Sequence, residues 1–522
     1  MWGNRERKRE CVRNNKNICY SNNMLVGRII KQQAVLTKQI CRAYSAVGIP
    51  ELTQDRLNVK RDDYATLKDG DITFFQSIVG SRYTLQEDLQ AYNLDFYYTV
   101  RGNSKLVLKP GSTQEVSAIL KYCNERKLAV CPQGGNTSVV GASVPVFDEI
   151  VLSLARLNKI INIDEMTGIA TCEAGCILEN LDNKARELDL IIPLDLGGRS
   201  SCHLGGNIST NAGGLRVVRY GNLHGNVLGL EVVLANGEVM DLMSDFKKDN
   251  TGYHLKHLFI GAEGTLGIVT KLSILCAPLP QAQHLAFIGL PSFNDVLKTF
   301  KSARSNLGEI LSACEMIDAP TLQASLDHFE VSSPINGFPF YMLIETSGSN
   351  WQHDLAKINN FIEIGMEKGE IVDGTIASEL GKMQEIWKLR ELAAMSFGKD
   401  GYCFYYDLSL PLRKFYDIVD VVKDRVGSLA TRVGGFGHLG DSNLHLNVSC
   451  PKYSPELYQK LEPFVYEYIH KLKGSVSAEH GIGFLKKNYL KFSKSPQAIQ
   501  MMKDIKMQLD PKGILNPYKV LQ

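Results

Sequence analysis

Short runs of branched apolar residues alternate with amphipathic stretches over residues 96–276. Apolar runs bounded by glycine or polar residues are typical of buried strands, whereas an apolar residue at every third or fourth position is typical of a helix. The pattern predicts strands at residues 105–108, 128–131, 150–154 and 169–172. It predicts helices at residues 113–126 and 178–187. We therefore expect an α/β or α+β domain with glycine-rich turns.

Longer strands and helices alternate over residues 277–430, and a pattern rich in glycine and histidine follows. The pattern predicts strands at residues 286–289, 341–346 and 402–410, and helices at residues 293–307 and 378–394. Because 522 residues exceed one ordinary domain, we expect several units. We divide the chain after its first 44 residues into a polar, helical arm at 45–95 and further units at 96–276, 277–430 and 431–522.

The charge of the chain is unevenly distributed, although the formal net charge is only +2. Residues 1–45 carry ten basic and two acidic side chains, so the other 477 residues carry a net charge of −6. A mildly acidic body argues against nucleic acid or an anionic membrane surface as the main partner. The sequence contains no apolar run of about 18 residues, so we expect no membrane span.

The basic N-terminal segment is typical of a targeting sequence. It is amphipathic from Met24 onward and contains no acidic residue between Met24 and Ser45. This composition resembles a mitochondrial transit peptide cleaved near Tyr44, and a disordered basic tail is the alternative. We expect residues 1–44 to be removed and the protein to act in the mitochondrial matrix. The twelve cysteines include no CxxC pair, which fits reduced thiols in that compartment.

Three glycine-rich segments follow or precede predicted strands. The first, residues 132–138, has two glycines followed by Asn, Thr and Ser, and its backbone N–H groups could converge on an anion. An ordinary tight turn would have the same composition. Residues 205–214 and 261–267 read as two further glycine-rich loops, and a dinucleotide lying against the backbone would explain so much glycine. No GxGxxG opens a helix after a strand, which argues against a Rossmann-type NAD site.

A second cluster contains histidine and acidic residues. His438 and His445 are seven residues apart, so an unbroken strand would direct them to opposite faces. The intervening residues 440–443 favour a turn that would let both imidazoles converge. With Glu479 they could form an open divalent metal site, next to His480 as a general base. Asp441 is an alternative carboxylate ligand, and hydrogen-bonded core histidines without metal are a further alternative.

The glycine-rich segments resemble a known cofactor-binding domain. Residues 132–138, 193–214 and 261–270 are similar to the FAD-binding domain of flavoproteins of the vanillyl-alcohol-oxidase and p-cresol-methylhydroxylase (PCMH) type. The resemblance implies a two-part, PCMH-type FAD-binding domain at residues 96–276 within an α+β fold. It implies that FAD contacts Gly134, Gly135, Asn136, Thr137, Ser138, Gly206, Asn207, Thr210, Gly213, Gly214, Glu263, Gly264, Gly267, Ile268 and Asn516.

The C-terminal motifs resemble a particular enzyme family. The runs GHLGDSNLH, SAEHGIG and DPKGILNP are similar to those of FAD-dependent D-2-hydroxy-acid dehydrogenases that act on D-2-hydroxyglutarate or D-lactate. The resemblance covers residues 96–522 and implies an α+β substrate or cap domain at 277–430. It also implies a C-terminal segment at 431–522 that faces the metal and the flavin. In this family the matching positions hold Zn²⁺ or a similar divalent ion at His438, His445 and Glu479. The implied substrate contacts are Arg390, Tyr405, Asn447 and His480.

The resemblance implies oxidation of (R)-2-hydroxyglutarate to 2-oxoglutarate. Arg390 would bind the C1 carboxylate through its planar guanidinium, and the metal would lower the pKa of the 2-hydroxyl. His480 would accept the hydroxyl proton while hydride passes from C2 to the flavin N5. A surface charge paired with Glu391 or Asp407 is the alternative for Arg390. Mitochondrial members are thought to reduce electron-transfer flavoprotein, which is therefore the expected partner besides the hydroxy acid.

Two positions depart from the family pattern. We expect a Thr and a Lys that grip substrate carboxylates, and this chain has Ala394 and Tyr405 there. Losing a charge-assisted hydrogen bond costs about 1.5–3 kcal/mol, although the Tyr405 hydroxyl could replace part of it. D-Lactate is therefore an alternative substrate. A non-redox flavoprotein resembling alkyl-dihydroxyacetonephosphate synthase and a catalytically inactive flavin-binding module are further alternatives.

Overall fold

The computed structural model describes residues 50–521 and shows a separate hydrophobic core in each half of the chain. The expected transit peptide at residues 1–44 lies outside the described residues. The N-terminal body comprises residues 50–278, and the cap body comprises residues 279–509, whose last helix also contacts the N-terminal body through the bond from Lys506 Nζ to the Thr265 carbonyl. The C-terminal tail, residues 510–521, returns to the N-terminal body. The α+β class that we expected is confirmed, since both bodies combine sheets with helices.

The first sheet of the N-terminal body has four strands in the order β1-β2-β4-β3. These strands are β1 Thr84–Leu85, β2 Val107–Leu108, β3 Val130–Gln133 and β4 Ile150–Ser153. The β2, β4 and β3 strands are parallel, and the helix Thr113–Arg126 connects β2 to β3. The Ser112 hydroxyl caps this helix by accepting a hydrogen bond from the Glu115 N–H at 3.2 Å. The helix buries one apolar face against the sheet, as its sequence period predicts.

The second sheet of the N-terminal body is antiparallel, in the order β5-β6-β10-β8-β9. Its strands are β5 Ile160–Asp164, β6 Ile169–Glu173, β8 Val227–Val233, β9 Val239–Leu242 and β10 Ile268–Leu275. A small ribbon pairs β7 Leu190–Ile191 with β11 Ala277–Pro278. The other helical segments of this body are Thr53–Arg56, Asp69–Val79, Ser81–Tyr83, Gln90–Asn93, Leu178–Arg186, Leu204–Thr210, Val217–Tyr220, Leu223–Asn226 and Leu255–Leu258.

The cap body is built on one antiparallel sheet of seven strands, in the order β15-β12-β14-β13-β17-β18-β16. Its strands are β12 Ala282–Leu290, β13 Leu311–Asp318, β14 Phe340–Gly348, β15 Asp373–Ala377, β16 Tyr402–Ser409, β17 Arg432–His438 and β18 Asn443–Cys450. Residues 431–522, which the sequence analysis sets apart, thus supply two inner strands of this sheet.

Helices cover both faces of the cap sheet. The helices Ala319–His328 and Leu380–Ser396 lie on the face that also carries the acidic and histidine side chains described below. The larger core lies on the other face. The remaining helical segments are Phe293–Asn306, Trp351–Glu367, Phe397–Asp400, Leu412–Lys414, Asp417–Val426, Gly427–Leu429, Pro455–Leu461, Phe464–Lys471, Lys487–Phe492 and Pro496–Leu509. Within residues 50–521, no helix combines the length and apolar character needed to cross a bilayer.

The C-terminal tail completes the core of the N-terminal body. Leu515 is fully buried there and forms a parallel bridge with Val130 at the start of β3. The buried Asp510 carboxylate accepts hydrogen bonds from the Ile514 and Leu515 N–H groups, at 3.0 and 2.8 Å. The tail is therefore fixed both by its backbone and by apolar packing.

We predict that Leu515→Ala lowers the free energy of unfolding by about 2–5 kcal/mol, because it leaves a cavity in a fully buried position. Thermal and urea unfolding of the purified protein measure the change. Met507→Ala is the matched control, since the Met507 side chain lies on the preceding helix and is 67% exposed. Equal stability of the two variants would contradict the role given to the tail.

Candidate functional site

The β17–β18 hairpin brings the two histidines of the site together. His438 ends β17, residues 439–442 form the turn, and His445 lies in β18. The two Nε2 atoms are 3.5 Å apart, so the turn has the effect that we expected from residues 440–443. Both imidazoles are buried on the face of the cap sheet that carries the helices Ala319–His328 and Leu380–Ser396. The same face is directed toward the N-terminal body.

Glu479 completes a triangle with the two imidazoles. Its Oε1 atom lies 3.7 Å from His438 Nε2 and 3.5 Å from His445 Nε2. Ligands of a tetrahedral zinc ion, at bond lengths of 2.0–2.1 Å, lie about 3.3–3.4 Å from one another. The separations and the two-imidazole, one-carboxylate donor set therefore fit zinc. Asp441 instead accepts a hydrogen bond from the Asn443 N–H at 3.3 Å.

The Asp407 carboxylate holds the loop that carries Glu479. It is 1% exposed, and its Oδ2 atom accepts hydrogen bonds from the N–H groups of Ala478, Glu479 and His480, at 3.0, 3.1 and 2.9 Å. Although burial disfavours its charge, nearby His480, Lys486 and His445 hold the pKa of Asp407 below its ordinary value. The charged Asp407 carboxylate thus fixes the directions of the Glu479 and His480 side chains in the loop.

Four possible ligand residues, Asp407, His445, Glu479 and His480, also lie with their donor atoms within 4.8 Å of one another. We favour His438 over Asp407 as a ligand because the Asp407 Oδ2 atom already accepts three backbone hydrogen bonds. The Oδ2 atom lies 3.7 Å from His480 Nδ1, and the Oδ1 atom lies 4.0 Å from His445 Nδ1. Asp407 thus faces the ring nitrogens directed away from Glu479, as carboxylates beside ligating histidines commonly do.

The two imidazoles have opposite protonation preferences. Burial lowers the pKa of His445 to about 3, so its imidazole is neutral, the form that binds metal. Burial also opposes the charge on His438, but the Glu315 carboxylate outweighs it and raises the pKa of His438 to about 10. The His438 Nδ1 atom lies 2.8 Å from Glu315 Oε1, which leaves Nε2 as the nitrogen for a metal. Metal binding at His438 would displace a proton.

Arg390 lies inside the cap body beside the histidines. It is 5% exposed, and its Nε–H donates to Glu315 Oε2 at 2.9 Å. Its guanidinium carbon lies 4.6 Å from the centre of the Phe436 ring. The alternative of a surface charge paired with Glu391 or Asp407 is wrong, because the partner of Arg390 is the buried Glu315.

Asn447 and Tyr405 lie further along the same face of the sheet. They are directly opposite each other across β18 and β16, two residues along each strand from His445 and Asp407. Opposite residues of antiparallel strands share a face. The Asn447 Nδ2 atom is buried and has no hydrogen-bond partner among the described residues. The Tyr405 ring stacks on that of Tyr97 from the N-terminal body, with centroids 5.2 Å apart.

The loop after β3 requires its glycines for close packing. A Cβ atom at Gly135 would lie 2.0 Å from the Ser201 carbonyl oxygen, and one at Gly134 would lie 3.3 Å from the His203 Cβ. The Asn136 side chain donates to the Ala91 and Leu94 carbonyls, at 3.1 and 2.9 Å. The loop also contains Thr137 and Ser138, and the Ser138 hydroxyl accepts from the Val140 and Ala142 N–H groups. These side chains fix the loop's shape.

Residues 205–214 are not wholly a loop, which corrects our expectation. Residues Leu204–Thr210 form a helix, and the Ser209 and Thr210 hydroxyls bond back to the carbonyls of Gly205 and Gly206. The glycines serve packing, because a Cβ at Gly205 would lie 2.6 Å from the Ala174 Cβ. A Cβ at Gly206 would have no atom within 4 Å, and the nearby Asn207 Oδ1 is buried without a partner among the described residues.

The third glycine segment contacts both the tail and the loop that carries Glu479. The Glu263 carboxylate accepts from the Ile482 and Gly483 N–H groups at 2.7 and 2.8 Å, and burial raises its pKa to about 7. The Asn516 Nδ2 atom donates to the Ala142 and Glu263 carbonyls at 2.9 and 2.7 Å. The other expected contacts in this region are Gly264, beside Pro132, and Gly267 and Ile268, which pack against core residues of β8.

Open space and unpartnered polar atoms beside the glycine segments are features that fit a bound flavin. The Gly206 face is open, and the side-chain oxygens of Asn207 and Asn516 are buried without partners among the described residues. Gly213 and Gly214 lie against Glu479, whose Oε2 atom accepts from the Gly214 N–H at 2.8 Å. Residues 213 and 214 of the second glycine segment therefore lie against the triangle of His438, His445 and Glu479, at the boundary between the two bodies.

Sequence reasoning missed two side chains that contact the site. Glu315 is the one acidic residue within the apolar run that forms the first seven residues of β13, and this isolation was a usable signal. Tyr97 gave no comparable signal, because its contact with Tyr405 joins residues that are distant in sequence.

Comparisons with known proteins agree with this architecture. The FAD binding domain family matches residues 104–243, and the C-terminal domain family of FAD linked oxidases matches residues 279–520. Two solved structures have the same fold at 16% identity. They are p-cresol methylhydroxylase, with a TM-score of 0.69 over 87% of this chain and 97% of that chain, and alkyldihydroxyacetonephosphate synthase, with 0.67 over 88% and 86%.

Curated relatives are much closer in sequence. Mitochondrial D-2-hydroxyglutarate dehydrogenase of Rattus norvegicus is 50% identical over 94% of this chain and 92% of its own length. The enzyme of the same name from Danio rerio is 51% identical over 86% and 85%. The D-2-hydroxyglutarate–pyruvate transhydrogenase of Saccharomyces cerevisiae is 45% identical over 91% and 100%. The chain therefore belongs to the D-2-hydroxyglutarate dehydrogenase family of FAD-dependent D-2-hydroxy-acid dehydrogenases.

Proposed function

We propose that this chain oxidises (R)-2-hydroxyglutarate to 2-oxoglutarate in the mitochondrial matrix and passes the electrons to electron-transfer flavoprotein. The observation that carries the proposal is the triangle of His438, His445 and Glu479 beside the buried Arg390. The names of the relatives support the substrate and the compartment. The basic segment at residues 1–44 supports the compartment as well.

We assign a zinc ion to the triangle and FAD to the cradle formed by the three glycine segments and Asn516. A bound zinc ion supplies a Lewis acid for the 2-hydroxyl oxygen, and bound FAD supplies the acceptor for two electrons. This assignment gives residues 96–276 to the flavin. Residues 277–430 form the substrate or cap domain, which shares its sheet with the segment 431–522 that faces the metal and the flavin. Residues 45–95 are then an arm that leads into the flavin domain.

The protein's own residues bind the substrate and move its proton. Arg390 presents guanidinium N–H groups to the C1 carboxylate, which a planar fork matches better than an ammonium group does. The unpartnered Asn447 Nδ2 donates to a substrate oxygen. His480 accepts the hydroxyl proton through Nε2, since its Nδ1 faces the Asp407 carboxylate at 3.7 Å. Asp407 thereby orients the base.

A second candidate substrate is D-lactate, which one observation favours. Tyr405 is stacked on Tyr97 at the place where a cation would suit a second carboxylate. A relative in Schizosaccharomyces pombe, 46% identical, is named a putative mitochondrial D-lactate dehydrogenase. We keep (R)-2-hydroxyglutarate as the first candidate because phenolic hydroxyl groups can donate hydrogen bonds to a carboxylate.

We predict that His480→Gln lowers kcat by roughly 10²–10⁴-fold, because glutamine keeps a polar side chain but cannot accept the proton. Steady-state rates with (R)-2-hydroxyglutarate and an artificial acceptor measure the change, and flavin content is measured alongside. The control is His353→Gln, whose side chain is 61% exposed on a helix of the cap body. A His480→Gln enzyme with the rate of the control would exclude His480 as the base.

We predict that Tyr405→Lys raises the ratio of kcat/KM for (R)-2-hydroxyglutarate to that for D-lactate by roughly 10–100-fold, because an ammonium group can pair with the second carboxylate. Tyr402→Lys is the matched control, since residue 402 lies on the same strand with its side chain on the opposite face. If the ratio stays constant in Tyr405→Lys, or changes equally in both variants, Tyr405 does not contact the distal end of the substrate.

A further inference from the structure

Glu315 contacts two side chains to which the proposed function gives different tasks. It is fully buried in β13, directly opposite His438 in the pairing with β17. Its Oε1 atom lies 2.8 Å from His438 Nδ1, and its Oε2 atom accepts from Arg390 Nε–H at 2.9 Å. One carboxylate therefore joins a zinc-binding imidazole to the guanidinium that binds the substrate carboxylate.

The surroundings leave these three groups little freedom. Glu315, Arg390 and His438 are each 5% exposed or less. The Arg390 guanidinium also lies over the Phe436 ring, two residues before His438 on β17. Because a carboxylate is planar and rigid, hydrogen bonds to its two oxygens fix both partners in position and in orientation. The separation between the imidazole and the guanidinium is thus set by Glu315.

We propose that Glu315 is a positioning residue that adapts the site to 2-hydroxy acids by fixing the separation of His438 and Arg390. In a 2-hydroxy acid, the hydroxyl and the carboxylate lie on adjacent carbons, so the groups that bind them must stand at one short, fixed separation. The inference rests on the proposed function, which gives His438 to zinc and Arg390 to the C1 carboxylate. Glu315 itself touches neither zinc nor substrate.

Because Glu315 contacts both His438 and Arg390, the affinity for zinc and the affinity for the substrate carboxylate both depend on this residue. Glu315→Gln replaces one acceptor oxygen by an amide NH₂ group, which cannot accept from either partner. Removing such a partner of a metal ligand typically lowers metal affinity by about 10–100-fold. The loss of a charge-assisted hydrogen bond to Arg390 should weaken binding of the substrate carboxylate roughly tenfold.

The test measures the two affinities separately on the flavin-loaded protein. Zinc affinity is measured with Zn²⁺ alone, in competition with a chelator. Carboxylate affinity is measured on metal-depleted protein, from the change in flavin absorbance on adding 2-oxoglutarate. We expect Glu315→Gln to lower both affinities, whereas Arg390→Met lowers only the affinity for 2-oxoglutarate.

Asp318→Asn controls for the general cost of altering a buried carboxylate in β13. Asp318 is fully buried, but it accepts from the Thr321 and Gly435 N–H groups instead of the site residues. We expect this control to keep both affinities within about threefold of the wild type, a change worth well under 1 kcal/mol. If Glu315→Gln does not fold, Glu315→Asp keeps the charge with a shorter reach and should lower both affinities by smaller factors.

A Glu315 variant that loses zinc affinity alone, or neither affinity, overturns the inference and leaves the proposed function intact. Equal losses in Asp318→Asn overturn it as well, since the effect would then be general destabilisation. Wild-type protein that binds neither zinc nor 2-oxoglutarate overturns the proposed function together with the inference.

Discussion

The hydrogen bonds that Asp407 accepts from three consecutive backbone N–H groups connect the cap sheet to the loop that carries the reactive side chains. This anchor fixes the backbone from which the Glu479 and His480 side chains project. A buried carboxylate needs compensation, and here backbone donors and nearby imidazoles supply it. Glu315 acts in the same way on the other side of the site, where its partners are His438 and Arg390. The triangle that fits zinc therefore depends on two buried acids that are outside it.

Buried acidic side chains with charged or hydrogen-bonded partners also hold the two bodies against each other. Arg216 of the N-terminal body donates to Asp195 at 2.6 Å and to Glu345 of the cap body at 3.1 Å. The Trp387 indole N–H also donates to Glu345, at 3.1 Å. Glu263 of the N-terminal body holds residues 482 and 483, in the loop that carries Glu479. Ionic and hydrogen-bonded contacts across the boundary thus fix the glycine segments relative to the triangle of His438, His445 and Glu479.

The sequence predicted the parts of this structure that depend on local patterns. The helix at residues 113–126 was predicted with the observed bounds, and the strands at 286–289 and 341–346 were predicted but are longer in the structure. The turn between His438 and His445 was predicted because its residues favour turns. Residues 205–214 were misjudged, because glycines required for close packing within a helix have the same composition as a loop.

The parts that were not predicted depend on contacts between distant residues. Glu315 lies 123 residues from its partner His438, and only the sheet register brings them together. Tyr97 and Tyr405 come from different bodies, so no pattern within either segment indicates their stacking. Arg390 was expected near the substrate, but its burial and its carboxylate partner follow from the way its helix packs on the sheet.

The most direct measurement is an anaerobic titration of the purified flavoprotein. It is monitored by the loss of flavin absorbance at about 450 nm, the usual band of the oxidised cofactor. The titrants are D-2-hydroxyglutarate, L-2-hydroxyglutarate and D-lactate, each before and after chelation. We expect rapid loss of absorbance with D-2-hydroxyglutarate, no rapid loss with its L-enantiomer, and abolition of the reaction by chelation. Faster reduction by D-lactate would contradict the proposed substrate. Unchanged reduction after removal of the metal would contradict the role of His438, His445 and Glu479.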